Sequence, residues 1–196
     1  HSPCWFPFEE TAEELIRKFL DRNAEPPHFV TPVTLRQRGL DWIEERSAEA
    51  VVKYDSKIVF IDHLHFIVKF SSDRVDQEIG KTMRELKRIA KQLKVVIILI
   101  AHLKKTNTSV HPSLDDLRDS SFIAQEADTV ILLWRETKKG NPIVITNNVN
   151  VSVQANRRTG RTGNVQMVYT PEGGMEEKDW QHDEPSYVPK NNDVPW

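Results

Sequence analysis

Apolar residues along this chain fall into two kinds of run. In TAEELIRKFLDR, residues 11–22, Leu15, Ile16, Phe19 and Leu20 recur at helical spacing. Thr11 and Glu14, three apart, carry the signature of a capping box, so a helix is predicted to begin there. TLRQRGLDWIEERSAEAV repeats that signature with Thr34 and Gln37 and predicts a second helix, with Gly39 counting against it. A third helix, from Asp73, keeps Val75, Ile79, Met83, Leu86, Ile89 and Leu93 on one stripe. SFIAQEAD, 121–128, predicts a short fourth. The other runs are continuous: CWFPF at 4–8, KIVFI at 57–61, VVIILI at 95–100 and TVILLW at 129–134. These read as strands.

Continuous apolar strands with amphipathic helices between them predict an α/β fold, a mainly parallel sheet with helices on both faces. IVITNNVNVSVQANR then alternates, TGRTG turns and NVQMVY returns, which predicts a carboxyl-terminal antiparallel hairpin at one edge of the sheet. Residues 171–196 are polar, contain Pro and Gly and lack periodicity. They are expected to be a mobile tail after a domain over 1–170.

Composition narrows the class without naming it. At 196 residues, with 38% apolar and 29% charged residues, the chain is expected to be a soluble globular domain with a tail. No apolar run approaches the roughly 20 residues of a membrane helix. The net charge of -2 gives no global basic field, so any nucleic-acid contact has to come from local basic loops. The single cysteine, Cys4, cannot form an internal disulfide, and an intracellular location is expected. The chain starts at His1 rather than Met, and is expected to be part of a longer protein.

In parallel sheets, ligands sit at the carboxyl ends of the strands. The informative residues are therefore those just past each apolar run. Asp62 follows KIVFI directly; a carboxylate there can hold the water shell of a Mg²⁺ ion bridging nucleotide phosphates, or can cap a turn. Glu9 and Glu10 follow the first strand. A glutamate there can polarise a water for attack on a phosphate, while Glu10, next to Thr11, also suits the helix N-terminus. His102, past VVIILI, can contact a terminal phosphate or simply close a strand with a hydrogen bond. His63 and His65 sit two apart, a spacing that could hold a metal only with a third ligand that the sequence does not point to. NRRTGRTG places Arg157, Arg158 and Arg161 on a tight turn, a local anion site or a solvated basic tip. IGKT at 79–82 imitates the end of a phosphate loop, but G-x-x-x-x-G-K-[ST] would need Gly at the position of Val75, so it is predicted to be helix surface.

Taken in order, these motifs resemble the ATPase domain of DnaB-family replicative helicases, which include the phage primase-helicases and the mitochondrial helicase Twinkle. The resemblance runs from about residue 3 to 170 and implies a RecA-like three-layer domain. CWFPFEETAEELIRKFL resembles the strand and helix that carry the family's catalytic glutamate, which falls on Glu9. KIVFIDHLHFI resembles the Walker B strand, with Asp62 as the Mg²⁺-linked acid. VVIILIAHLKK resembles the sensor strand, with His102 in the phage-like form. PSLDDLRDSSFIAQEADTVILLWR is the most specific match and implies single-stranded DNA contacts at Arg118, Asp119 and Ser121. NRRTGRTGNVQMVY resembles the arginine-finger hairpin; spacing from the glycine favours Arg157 in the phage-like form and Arg158 in the bacterial form.

The chain also departs from the family. The Walker A loop is not in it. The lysine usual two residues before the finger is replaced by Ala155 or Asn156, and Ser121 stands where bacterial members usually have Gly. The resemblance implies ATP and Mg²⁺ as cofactors, a ring (a hexamer) of full-length subunits, single-stranded DNA, and a primase or helicase loader as partners. It implies a cytoplasmic setting, nucleoid or phage replisome, with no membrane. Two other functions remain open: another RecA-class ATPase, such as a recombinase or regulatory ring, and a non-catalytic nucleic-acid-binding fragment.

Overall fold

A computed structural model describes residues 2–32, 39–68, 75–103, 112–117, 121–138, 144–170 and 174–178. The region expected as one domain, 1–170, divides into two compact units. The first comprises His1–Lys105 and Leu114–Ala127; the second comprises Thr106–Ser113 and Asp128–Trp196. No described helix is long and apolar enough to cross a membrane.

The first unit is built on a parallel sheet. Its strands are β1 (Cys4–Pro7), β2 (His28–Phe29), β3 (Ile58–Asp62) and β4 (Val96–Leu99), in the order β2-β1-β3-β4. Among the described residues its α-helices are α1 (Ala12–Leu20), α2 (Leu40–Tyr54), α3 (Val75–Leu93) and α4 (Ser121–Glu126). Alternation along β1 and β3 sends Cys4, Phe6, Val59 and Ile61 to one face, where all four are fully buried. Trp42 of α2 meets Phe6 edge-on at 5.5 Å, and the buried stripe of α3, Ile79, Leu86 and Ile89, completes that core. Burying a side chain such as Phe6 or Ile61 contributes about 1.5–3 kcal/mol. On the opposite face Trp5 stacks on Phe60 at 5.3 Å, and Phe19 of α1 meets it edge-on at 5.9 Å. Helices therefore cover both faces, as the patterning predicts.

Local signals set most boundaries. The capping box of α1 is formed as read: the Glu14 N–H donates to Thr11 Oγ1 at 3.2 Å and the Thr11 N–H to Glu14 Oε2 at 3.0 Å. The start of α2 is different. Gly39 is its N-cap, without a side-chain cap, and the Thr34–Gln37 signature lies outside the described residues. Lys94, left-handed at φ 54°, turns α3 into β4. β4 is less enclosed than its unbroken apolar run predicts, since Val96 is 61% and Ile98 40% exposed.

The second unit is an antiparallel sheet of β5 (Thr129–Lys138), β6 (Val144–Asn156), β7 (Gly163–Tyr169) and β8 (Met175–Glu177), in that order. Two expectations change here. TVILLW is a strand, but among the described residues it pairs antiparallel with β6 rather than with a parallel neighbour. An apolar run signals burial, not the identity of its partner. Met175–Glu177, expected in the tail, pairs with Tyr169, Val168 and Met167. The antiparallel part is thus four strands rather than a hairpin alone.

Candidate functional site

The site forms where β1, β3 and β4 end side by side. The register sets Pro7 opposite Asp62 and Ile61 opposite Leu99. Backbone bonds continue past the strands: the Phe8 N–H donates to the Asp62 carbonyl at 2.9 Å, and the Leu64 N–H to the Ile100 carbonyl at 2.9 Å. These bonds bring residues 9, 62–63 and 102 together within the first unit. The carboxyl ends of the strands thus gather Glu9, Asp62 and His102, three of the residues the sequence singles out for nucleotide chemistry.

Glu9 is the centre of the cluster. Its Oε1 lies 3.0 Å from His63 Nδ1 and 3.6 Å from His102 Nε2. Glu10, in contrast, turns to Lys18 of α1, with Oε1 at 2.5 Å from Nζ. That pairing separates the two glutamates: Glu10 serves the helix, and Glu9 faces the cluster. The rings of His63 and His102 meet edge-to-face with centroids 4.3 Å apart. Phe66 also meets His63 edge-on at 4.8 Å, and itself stacks on Phe8. His63 is buried, while His102 is half exposed.

Electrostatics at Asp62 fit a cation. Burial pushes its carboxyl above the ordinary range, and the neighbouring charges of Glu9 and Glu10 push it further, with His102 partly offsetting them. A hard divalent ion relieves this crowding, and oxygen donors at a strand end suit Mg²⁺. The oxygen donors present at this strand end fit the Mg²⁺ that the family resemblance implies.

The sequence reading weighed His63 only with His65, as a metal pair lacking a third ligand; in the structure its neighbours are Glu9 and His102, just past two other strands. The available signal was its place directly after Asp62, at the end of the same strand.

The remaining expectations lie elsewhere. Arg157, Arg158 and Arg161 are exposed at the β6–β7 turn in the second unit. The turn is fixed by its backbone: the Arg157 N–H donates to the Asp128 carbonyl at 2.9 Å, and Gly160, at φ 68°, donates to the Asn156 carbonyl at 2.8 Å. Arg118 and Asp119 lie outside the described residues. Ser121 is the first residue of α4. The segment before that gap is anchored by a bridge between Leu103 and Leu117, and α4 by buried Ile123. IGKT lies inside α3 as expected, but only Lys81 is surface; Gly80 and Thr82 are buried.

Comparison with known proteins places this chain in a family. A family model described as "DnaB-like helicase C terminal domain" matches residues 31–175. The replicative DNA helicase DnaB of Leifsonia xyli subsp. xyli is 39% identical over 94 residues, covering 44% of this chain and 20% of that protein. DnaB of Rickettsia prowazekii is 30% identical over 178 residues, covering 79% of this chain and 35% of that protein. The chain thus spans about a third or less of the length of the curated relatives it matches. Among solved structures, one described as an ATPase domain superposes with a TM-score of 0.71 at 19% identity, covering 89% of this chain and 73% of that one. A DnaB-like replicative helicase, in a structure describing its interactions with primase, gives a TM-score of 0.69 at 20% identity, covering 88% and 50%. These superpositions establish the RecA-like helicase ATPase fold.

Proposed function

Because the chain belongs to the DnaB-like helicase C-terminal domain family, we propose that it is the ATP-hydrolysing motor segment of a replicative DNA helicase. The whole protein works as a hexameric ring on single-stranded DNA in the cytoplasm, with primase or a loader as partner. The observation that supports this most is the convergence of Glu9, Asp62 and His102 at the ends of three neighbouring parallel strands.

In this reading Glu9 accepts a proton from the water that attacks the γ-phosphate of ATP. Asp62 would hold Mg²⁺ through its water shell, and the ion, when bound, would neutralise phosphate charge. His102, half exposed beside Glu9, contacts the terminal phosphate and links its presence to the following loop. Arg157 or Arg158 reaches the nucleotide of the adjacent subunit and stabilises charge on the transferring group. Head-to-tail contacts of that kind close into a ring or run on as a helix. The loop carrying Arg118, Asp119 and Ser121 holds DNA phosphates with little sequence preference.

The test is made in the full-length protein. Glu9→Gln is expected to lower kcat for ATP hydrolysis by about 10²–10⁴-fold, the usual worth of a general base, and to abolish unwinding. Turnover at the wild-type rate would refute the assignment of Glu9. Residues 1–196 contain no G-x-x-x-x-G-K-[ST] stretch, so this chain by itself is expected to show no turnover.

A further inference from the structure

The Glu9–His63–His102 cluster has a second chemical capacity. One carboxylate oxygen and two imidazole nitrogens from three different strand ends lie within 4.8 Å of one another. That is the donor set of a three-ligand zinc site with an open position. Two of the three donor spacings also fit, and the third, between the two imidazole nitrogens, is within 4.8 Å. Ligands about 2.0–2.1 Å from a tetrahedral zinc ion stand roughly 3.3 Å apart. The distances from Glu9 Oε1 are 3.0 Å to His63 and 3.6 Å to His102, on either side of that value. His63 is buried and braced by Phe66, which fixes one ligand in place. His102 and Glu9, 50% and 41% exposed at their side chains, can close on an entering ion.

We propose that Glu9 Oε1, His63 Nδ1 and His102 Nε2 bind a divalent transition-metal ion of the zinc class, at a site distinct from the Mg²⁺ position of Asp62. Two nitrogen donors select such an ion over Mg²⁺, which takes oxygen ligands and keeps its waters. The consequence rests on the reading of Glu9 as the base. An ion on Oε1 occupies the lone pair that water needs, and ties down His102 at the same time. The loaded site is an off state, reversible by removing the ion.

The test is titration of the tag-free 196-residue chain with Zn²⁺ by calorimetry, and with Co²⁺ by visible absorption, both in excess Mg²⁺. One ion is expected per chain, with the intense visible bands of tetrahedral Co²⁺. Glu9→Gln and His102→Ala should each weaken binding tenfold or more, since even changes behind the ligands of a metal site cost about 10–100-fold. His102 is half exposed, so its replacement leaves the core intact, whereas a change at His63 disturbs buried packing. His65→Ala should bind as wild type does. Absent saturable binding, or binding unchanged in both Glu9→Gln and His102→Ala, overturns the proposal. The two readings fail separately: Asp62→Asn should keep Zn²⁺ binding in this chain while abolishing hydrolysis in the full-length protein. Loss of Zn²⁺ binding in His102→Ala with hydrolysis intact in full-length Glu9→Gln would sink the base and keep the metal site.

Discussion

Gly80 of α3 makes room for the ring of Phe122 at the start of α4: a Cβ at position 80 would stand 3.2 Å from Phe122 Cγ and 3.3 Å from its Cδ1. The glycine is there for close approach of two helices, not for a phosphate. A larger side chain must push α4 away from α3. Gly80→Leu is expected to lower stability by about 1–3 kcal/mol, the usual cost of overpacking. A chemical-denaturation midpoint equal to that of the wild type would mean that the two helices do not pack this closely.

Cys4 is sealed between β2 and β3, and burial pushes its thiol from 9.0 up to about 12. The folded protein is therefore expected to resist iodoacetamide at neutral pH and to react once denatured. The sign of the pH effect follows from linkage. A thiol whose folded value is raised keeps its stabilising contribution below the unfolded value. The contribution falls as pH climbs from 9.0 toward about 12, because the unfolded chain releases its proton first. Rapid alkylation of the native chain at neutral pH would contradict this burial.

The second unit holds a polar ladder inside its sheet. The Glu136 carboxylate accepts from Asn148 Nδ2 at 2.9 Å, Asn150 Nδ2 at 3.1 Å and Gln166 Nε2 at 3.2 Å. Asn150 is buried, so removing Glu136 takes away the acceptor of its NH2 group. Glu136→Ala should cost about 1–3 kcal/mol for that group. Glu136→Gln, which keeps one acceptor oxygen, should cost less. Hydrogen exchange of β6 amides provides the measurement, and equal protection in all three proteins would show that the ladder adds nothing.

What the sequence made legible was local. The Thr11–Glu14 capping box and the α3 stripe need only their own neighbours, and both formed as read. Glu9, Asp62 and His102 were also reachable, because each follows an apolar run and strand ends are where parallel sheets bind. The contact between His63 and Glu9 was not. It depends on Pro7 standing opposite Asp62, a register between distant segments of the chain that no periodicity encodes. The same holds for TVILLW. Its alternation, Leu132 buried and Leu133 54% exposed, marks a strand with one covered face, yet nothing in that run says which strand it joins. Among the described residues α2 begins at Leu40 after Gly39, and the Thr34–Gln37 signature lies outside them.

The turn at 157–161 separates two candidate arginine fingers by a measurable criterion. The Arg157 N–H is tied to the Asp128 carbonyl, so the turn is anchored by backbone, and both Arg157→Ala and Arg158→Ala should leave it folded. In the full-length protein, the variant that removes the finger is expected to lower kcat by about 10³-fold or more, with nucleotide affinity little changed. The other should stay near the wild-type rate. Mixing the inactive finger variant with Glu9→Gln subunits tests whether the arginine acts across an interface. Some mixed interfaces then combine an intact Glu9 from one subunit with an intact arginine from the next. Recovered turnover is expected, and a mixture as inactive as either parent would place the arginine within its own subunit's site.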